Sequence, residues 1–478
     1  MTILMCLILA FATIILADTL GVDVAIVGAG LSGLATAHQI AAAGKTFVIL
    51  EARDRVGGRI LDAEIPYGGI TELGAEFVGP TQDRVLAWAA DLGLTTYEAY
   101  TTGNSTLYYK GNSSPYHYDT SSGGVPPFEA DVLSELLDVL SELDTLAAEI
   151  DTMAPWNHPN ATYLDSMTLE TFVQDKTTVN GSRPIISTAM GSIFSTELNE
   201  ISTLYAVTYI AAAGNETMPG TVERLMGTRG GAQDSRVNGG TELIPIKMAQ
   251  KLGLENFLLS NPVRKVVAND QGYTVQTECT QVRAKHVVLA MSPPLASRII
   301  YDPPLPAGRD QLTQRMPMGA VGKAIAVYPT PWWRSLGLNG GVVSDSGVIR
   351  VTFDNSPANA SFGAIMGFIE ADEMRALDGA TVSEIQDLVT QDLVRYLGPG
   401  AANVSDFFLQ RWDLEEFSRG GPVANAGPGL LTQLGSFLRA PAGKIHFAGT
   451  ETAPYWIGYM DGAIRAGERV AAEILADF

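Results

Sequence analysis

Three glycines, Gly28, Gly30 and Gly33, sit between the β-branched run Val22–Val27 and an alanine-rich stretch, Leu34–Ala43, that Gly44 closes. A second apolar run, Thr46–Leu50, follows and ends in Glu51. Strand, glycine turn, helix, strand and acid at this spacing predict a dinucleotide-binding βαβ unit. Each residue type has a physical reason. Gly28 permits the turn, Gly30 lets backbone N–H groups approach a diphosphate, and Gly33 lets the helix pack on the strand. The helix N-terminus offers partial positive charge to phosphate, and Glu51 accepts hydrogen bonds from ribose hydroxyls.

The string after the acid narrows the nucleotide. Glu51-Ala52-Arg53-Asp54-Arg55-Val56-Gly57-Gly58-Arg59 sets a second glycine pair among arginines. Arg53, Gly58 and Arg59 thereby fall near a diphosphate, which a guanidinium fork grips with two hydrogen bonds. The string resembles the signature of glutathione-reductase-like flavoproteins, so FAD rather than NAD is the expected cofactor.

The chain has 478 residues, enough for two domains of roughly 200 residues each. Hydrophobic content of 46% and charged content of 17% supply globular cores. With 52 acids against 31 bases the formal charge is -21, which argues against a nucleic-acid partner and serves solubility. Five scattered histidines and two cysteines provide no metal-ligand spacing. Residues 1–17 are almost wholly apolar, too few to span a bilayer, and read as a signal peptide with Ala17 before the cut, although the first basic residue is Lys45. Cleavage there would remove Cys6 and leave Cys279 alone, a bystander in a polar strand. Seven of 16 asparagines (Asn104, Asn112, Asn160, Asn180, Asn215, Asn359 and Asn403) open Asn-X-Ser/Thr sequons, which favours secretion. The alternatives are a cytoplasmic or endomembrane-lumenal location.

Residues 128–150 alternate Leu/Ala with Glu/Asp at helical spacing, predicting an acidic amphipathic helix with a solvated scaffold face. Segment 160–236 reads as helical, and 257–290, 320–328 and 341–370 read as strands. Asn261-Pro262-Val263 opens a return to the nucleotide domain, and Pro293-Pro294 marks an exit. Near the C-terminus a strand and small-residue turn, Lys444–Thr452, lead to a helix beginning near Met460. The dipole of that helix suits a group that gains negative charge.

Gly74-Ala75-Glu76-Phe77-Val78-Gly79-Pro80-Thr81-Gln82, Phe447-Ala448-Gly449-Thr450-Glu451-Thr452, Gly458-Tyr459-Met460-Asp461-Gly462-Ala463 and Ala466-Gly467-Glu468-Arg469 resemble the flavin monoamine oxidases. The likeness runs from about residue 22 to 475. It implies an α/β fold: a Rossmann-like, glutathione-reductase-type FAD-binding domain interleaved with a substrate domain of mixed sheet plus helices. The expected division is 20–98, 238–300 and 427–478 for FAD, and 99–237 and 301–426 for substrate. By the same resemblance Phe77, Val263, Trp412, Gly449, Thr450, Glu451 and Met460 join the cofactor site, with the Val263 backbone holding the adenine. Lys323 matches a lysine that holds a water at flavin N5, and as one charge in an apolar strand it needs such a reason on its own account. Tyr459 matches one wall of an aromatic cage. Gln233 matches a cavity glutamine, and Leu225 and Met226 a cavity gate.

The departures are informative. Membrane-bound members attach flavin through a cysteine just after the segment matched by Glu416-Phe417-Ser418, whereas Arg419-Gly420-Gly421-Pro422-Val423 holds none. FAD is therefore expected to be noncovalent. The second cage aromatic falls in the same stretch, where only Pro422 or Val423 is on offer. With no membrane tail after the last helix, the features are closest to soluble fungal monoamine oxidases. The resemblance implies oxidation of primary amines, long-chain or xenobiotic ones among them, by O2 to aldehyde, ammonia and H2O2. L-amino-acid oxidases usually carry Arg where Glu76 stands, and polyamine oxidases an acid where Gly79 stands. A flavin-binding protein without turnover would need neither Lys323 nor Tyr459. The expected partners are a small amine and O2, with no metal, no nucleic acid and no transmembrane anchor, and with a homodimer left open.

Overall fold

A computed structural model of the chain describes residues 20–117 and 125–478. The leader call on residues 1–17 and Cys6 lies outside them. Cys279 itself is not a free thiol, so the expectation of a lone bystander cysteine does not hold. No helix among the described residues is long and apolar enough to cross a membrane.

Two large sheets organise the molecule. The first runs Phe257–Leu258, Phe47–Leu50, Leu20–Val27, Gln281–Leu289, Gly272–Gln276, Lys265–Asn269 and Ile300–Asp302, with Ile445–Phe447 also pairing on Gln281–Leu289. Its centre is parallel: Val24–Val27 align with Phe47–Leu50 on one side and His286–Leu289 on the other. Val24, Ala25, Ile26 and Val27 are all buried, as a parallel strand covered on both faces must be. Helix Leu31–Ala42 covers one face and packs against the C-terminal helix Met460–Leu475. The two come close enough for Thr36 Oγ1 to donate to Gly467 O at 3.1 Å, and a Cβ on Gly467 would lie 2.3 Å from Ser32 O.

The second sheet runs Asp406–Arg411, Val321–Tyr328, Gly363–Glu370, Val351–Asp354, Leu338–Ser344, Asn104–Tyr109 and Asn112–His117. It is antiparallel except where Leu338–Ser344 runs alongside Asn104–Tyr109. Helices between Ala130 and Met226 form a separate layer with its own core. The acidic helix spans Ala130–Ala147; Asp131 and Asp138 are exposed as the charge pattern predicts, whereas Glu135 and Asp144 are half-buried and accept from the backbone N–H groups of Thr178 and Val222. It is more than a scaffold face, however. Val132, Leu136, Val139, Leu143 and Ala147 form a buried stripe, and Leu136 and Leu140 reach the wall of the central cavity.

Candidate active site

One cavity of about 560 Å³ runs from the glycine turn of the first sheet to the helical layer. At the first end lie Gly28, Gly30, Glu51, Arg53, Gly58, Arg59 and Val263. Gly28 holds φ at 107°, and Gly33 packs so tightly that a Cβ would stand 2.0 Å from Gly28 O. A Cβ on Gly30 would meet no atom within 4 Å; it would project into open space. Gly33 is thus a packing glycine outside the cavity wall, and Gly30 is a wall glycine. Helix Leu31–Ala42 has neither a side-chain cap nor an acid in its first turn, so its N–H groups suit an anionic ligand. Glu51 accepts from Ala29 N at 2.7 Å through Oε2 and from Arg53 N at 2.9 Å through Oε1. These bonds fix the carboxylate, and each oxygen retains a lone pair for a hydroxyl. Open glycine, uncapped helix and anchored acid together fit a dinucleotide cofactor.

Arg53 and Arg59 line the same stretch. Arg53 Nη2 donates to Glu415 Oε2 at 3.0 Å and Ser418 Oγ at 2.9 Å. Arg59 Nη1 donates to Pro422 O at 2.5 Å and Glu451 Oε1 at 3.2 Å. Glu451 itself is buried behind the wall, with Oε2 lacking a hydrogen-bond partner. It supports Arg59 and does not face the cavity.

The middle of the cavity is built on the second sheet. Lys323 is 1% exposed, and its Nζ donates to Glu76 Oε2 at 2.6 Å and Gly74 O at 3.1 Å. Glu76 Oε1 accepts from Asn355 Nδ2 at 2.5 Å and lies 3.1 Å from Arg236 Nε. Arg236 in turn pairs with Glu72. Two buried acids and two buried bases therefore close a neutral quartet, which compensates the desolvation of each. The pressure shows: burial pushes the Glu72 carboxyl up even with Arg236 beside it. Trp412 lines this region and donates from Nε1 to Leu73 O at 2.9 Å, while Phe77 stacks on Phe353 with centroids 5.4 Å apart.

Tyr459 stands at the N-cap of the C-terminal helix, with Gly449, Thr450 and Met460 also on the wall. Thr450 Oγ1 accepts from Gly458 N at 2.8 Å and donates to Tyr459 O at 3.0 Å, which locks the turn that presents the ring. The ring packs edge-on to Trp456, centroids 4.8 Å apart, and lies 6.4 Å from Tyr209. Burial holds the Tyr459 hydroxyl neutral, well above its ordinary range. Of the two candidates for the missing aromatic, Val423 is fully buried in the core and Pro422 lines the cavity. Leu225 and Met226 end a short helix on the wall, the former buried and the latter exposed. Gln233 Nε2 donates to Leu225 O at 3.1 Å, leaving Oε1 buried and unpartnered. Sequence reading missed Tyr209, Glu370 and Arg236. Glu370, one acid ending the apolar strand Gly363–Ile369, carried a signal of the same kind as Lys323.

The fold and this cavity are those of a flavin-dependent oxidoreductase. The chain belongs to the flavin containing amine oxidoreductase family, whose profile matches residues 31–475. It is similar to the flavin-containing amine oxidase B of Sus scrofa, 34% identical over 95% of this chain and 86% of that one. Among solved structures it is similar to wild-type putrescine oxidase bound to putrescine, with TM-score 0.90 and 35% identity, covering 96% of this chain and 100% of that one. Cyclohexylamine oxidase from Brevibacterium oxydans gives TM-score 0.89 at 33% identity, covering 95% and 99%. The two-domain α/β fold and amine oxidation with flavin follow from these likenesses.

Proposed function

We propose that the protein oxidises primary amines to aldehyde, ammonia and H2O2 with noncovalent FAD. The observation that carries this reading is that the buried Lys323 and the Tyr459 ring line the same cavity. A bound flavin would supply the two-electron acceptor that O2 reoxidises, and Gly28, Gly30, Glu51, Arg53 and Arg59 would hold it. The remaining work belongs to the chain. An apolar cavity favours the uncharged amine, because an ammonium would have to be desolvated. Tyr459 and Pro422 flank its approach, Lys323 would hold a water at the flavin, and the helix N-terminus at Met460 would add a favourable dipole. Gln233, Leu225 and Met226 shape the cavity beyond.

Noncovalent attachment is supported by Gly421 and Pro422, which line the wall without offering a thiol. An acid in place of Gly79, as in polyamine oxidases, would clash: a Cβ there would lie 2.0 Å from Gly231 O. The division into 20–98, 238–300 and 427–478 against 99–237 and 301–426 is supported by the sheets, whose strands draw on different segments. Export is supported by five sequon asparagines that are exposed (Asn112, Asn160, Asn180, Asn359 and Asn403). A glycosidase-sensitive mass on the native protein tests it.

The deciding experiment is a panel of primary amines of varied length on purified, yellow protein, read by peroxide release. FAD-loaded protein that releases no peroxide from any amine sinks this reading. Lys323→Met should slow turnover at least about tenfold, and unchanged kinetics would remove Lys323 from the site.

A further inference from the structure

Among the described residues, Glu370 is the one carboxyl on the sheet wall of the cavity that lies away from the buried quartet and has no counter-ion. It ends strand Gly363–Glu370, directly across from Val321, while Phe368 lies across from Lys323. Side chains two apart on a strand share a face, so Lys323, Val321, Phe368 and Glu370 all present to the cavity, and all four line it. Glu370 thus sits about 7 Å along the strand from the level of Lys323. Its carboxyl has one hydrogen-bond partner among the described residues, the Ser195 hydroxyl, which donates to Oε1 at 3.0 Å. No Lys, Arg or His comes within ion-pair distance of it there; the nearby Arg350 is already paired with Glu373. Glu373 and Glu197 add negative charge around it, and burial in their company pushes the carboxyl up to about 8. An acid so placed is costly to the fold alone, and a cation entering the cavity relieves that cost.

We infer that Glu370 forms a subsite for a second, non-reacting amino group, so that the preferred substrates are linear α,ω-diamines. This rests on the reading of the Lys323–Tyr459 level as the reacting end. A neutral distal amine takes the carboxyl proton, so one O–H bond breaks and one N–H bond forms, and the product is an ammonium–carboxylate pair that Ser195 supports. The net charge of the complex is conserved. Without that partner the distal amine would enter an apolar cavity unpaired, and diamines would be poor substrates. The subsite also sets length, since one amine must reach Lys323 while the other reaches Glu370.

The test measures kcat/KM by peroxide release for n-alkylamines and α,ω-diamines of matched length on purified holoenzyme. In the wild type one chain length should favour the diamine by about tenfold or more. Glu370→Gln keeps the shape and the Ser195 hydrogen bond, and should lower that diamine-to-monoamine ratio by about the same factor. A wild type with no diamine advantage at any length overturns the inference, and so does a ratio that Glu370→Gln leaves unchanged. In both cases peroxide from monoamines keeps the amine-oxidase reading intact. Peroxide from no amine would instead overturn that reading and this inference with it.

Discussion

Lys323 and Glu76 meet at 2.6 Å where neither side chain is more than 2% exposed. The pair belongs to a chain of charges that continues through Arg236 to Glu72. Breaking one partner of such a pair leaves a buried charge uncompensated, at a cost of about 3–5 kcal/mol. Glu76→Gln should therefore be strongly destabilising in urea unfolding. The double variant Glu76→Gln/Lys323→Met should lose less than the two single losses together. Additive losses would show that the charges do not act on one another.

The two glycines of the turn should respond in opposite ways. Gly33→Ala drives a methyl onto Gly28 O and should reduce folded yield. Gly30→Ala meets no protein atom within 4 Å, so circular dichroism and melting of the apoprotein should be nearly unchanged. Its FAD content after purification should nonetheless fall, because the added carbon occupies space for the diphosphate. Full flavin content in Gly30→Ala would contradict the placement.

Acid precipitation of the yellow protein should release all of the flavin to the supernatant. Colour that stays with the pellet would refute noncovalent attachment.

Tyr459 should work through its ring. Burial keeps its hydroxyl neutral, so proton transfer from it at neutral pH has no driving force. Tyr459→Phe should retain most of kcat/KM, whereas Tyr459→Ala should lose about tenfold or more through the lost wall. Equal losses in both would move the function to the hydroxyl.

Asp62 makes a pH prediction. Its Oδ2 accepts from Glu242 N at 3.1 Å, and burial near Glu72 and Glu242 pushes the carboxyl up to about 7. In the unfolded chain it titrates near 3.9. Between these values only the native state holds the proton, so stability falls as pH rises from about 4 to about 7 and is flat beyond. Asp62→Asn should flatten this contribution, of order 1–3 kcal/mol, in melts taken across that window. A wild type and variant with parallel pH profiles would exclude the effect.

What was legible in the sequence was what is local. The glycines, the helix that follows and Glu51 lie within one βαβ unit, so spacing alone placed them. Lys323 was legible as a charge in an apolar strand, but its partners were not. Glu72 and Glu76 share one stretch, but Arg236 and Lys323 come from distant segments, and only sheet and loop packing sets the four together. Tyr209 lies in Thr203–Ala211, a helix buried on every side, where an aromatic carries no periodic signal. Residues 128–150 gave the helix and its charged face, while the cavity-facing Leu136 and Leu140 looked like ordinary core positions. Pro422 separated from Val423 only when the backbone decided which of the two faced inward.

The contact between Gly467 and Ser32 has a consequence for how the protein is made. Helix Leu31–Ala42 is synthesised long before Met460–Leu475, yet each lends its N-terminal end to the same cavity. A nascent chain can assemble the central strands long before it owns a complete flavin site. The cofactor therefore cannot template the early stages of folding. Its tight capture waits for helix Met460–Leu475 to dock, and the apoprotein must survive until then.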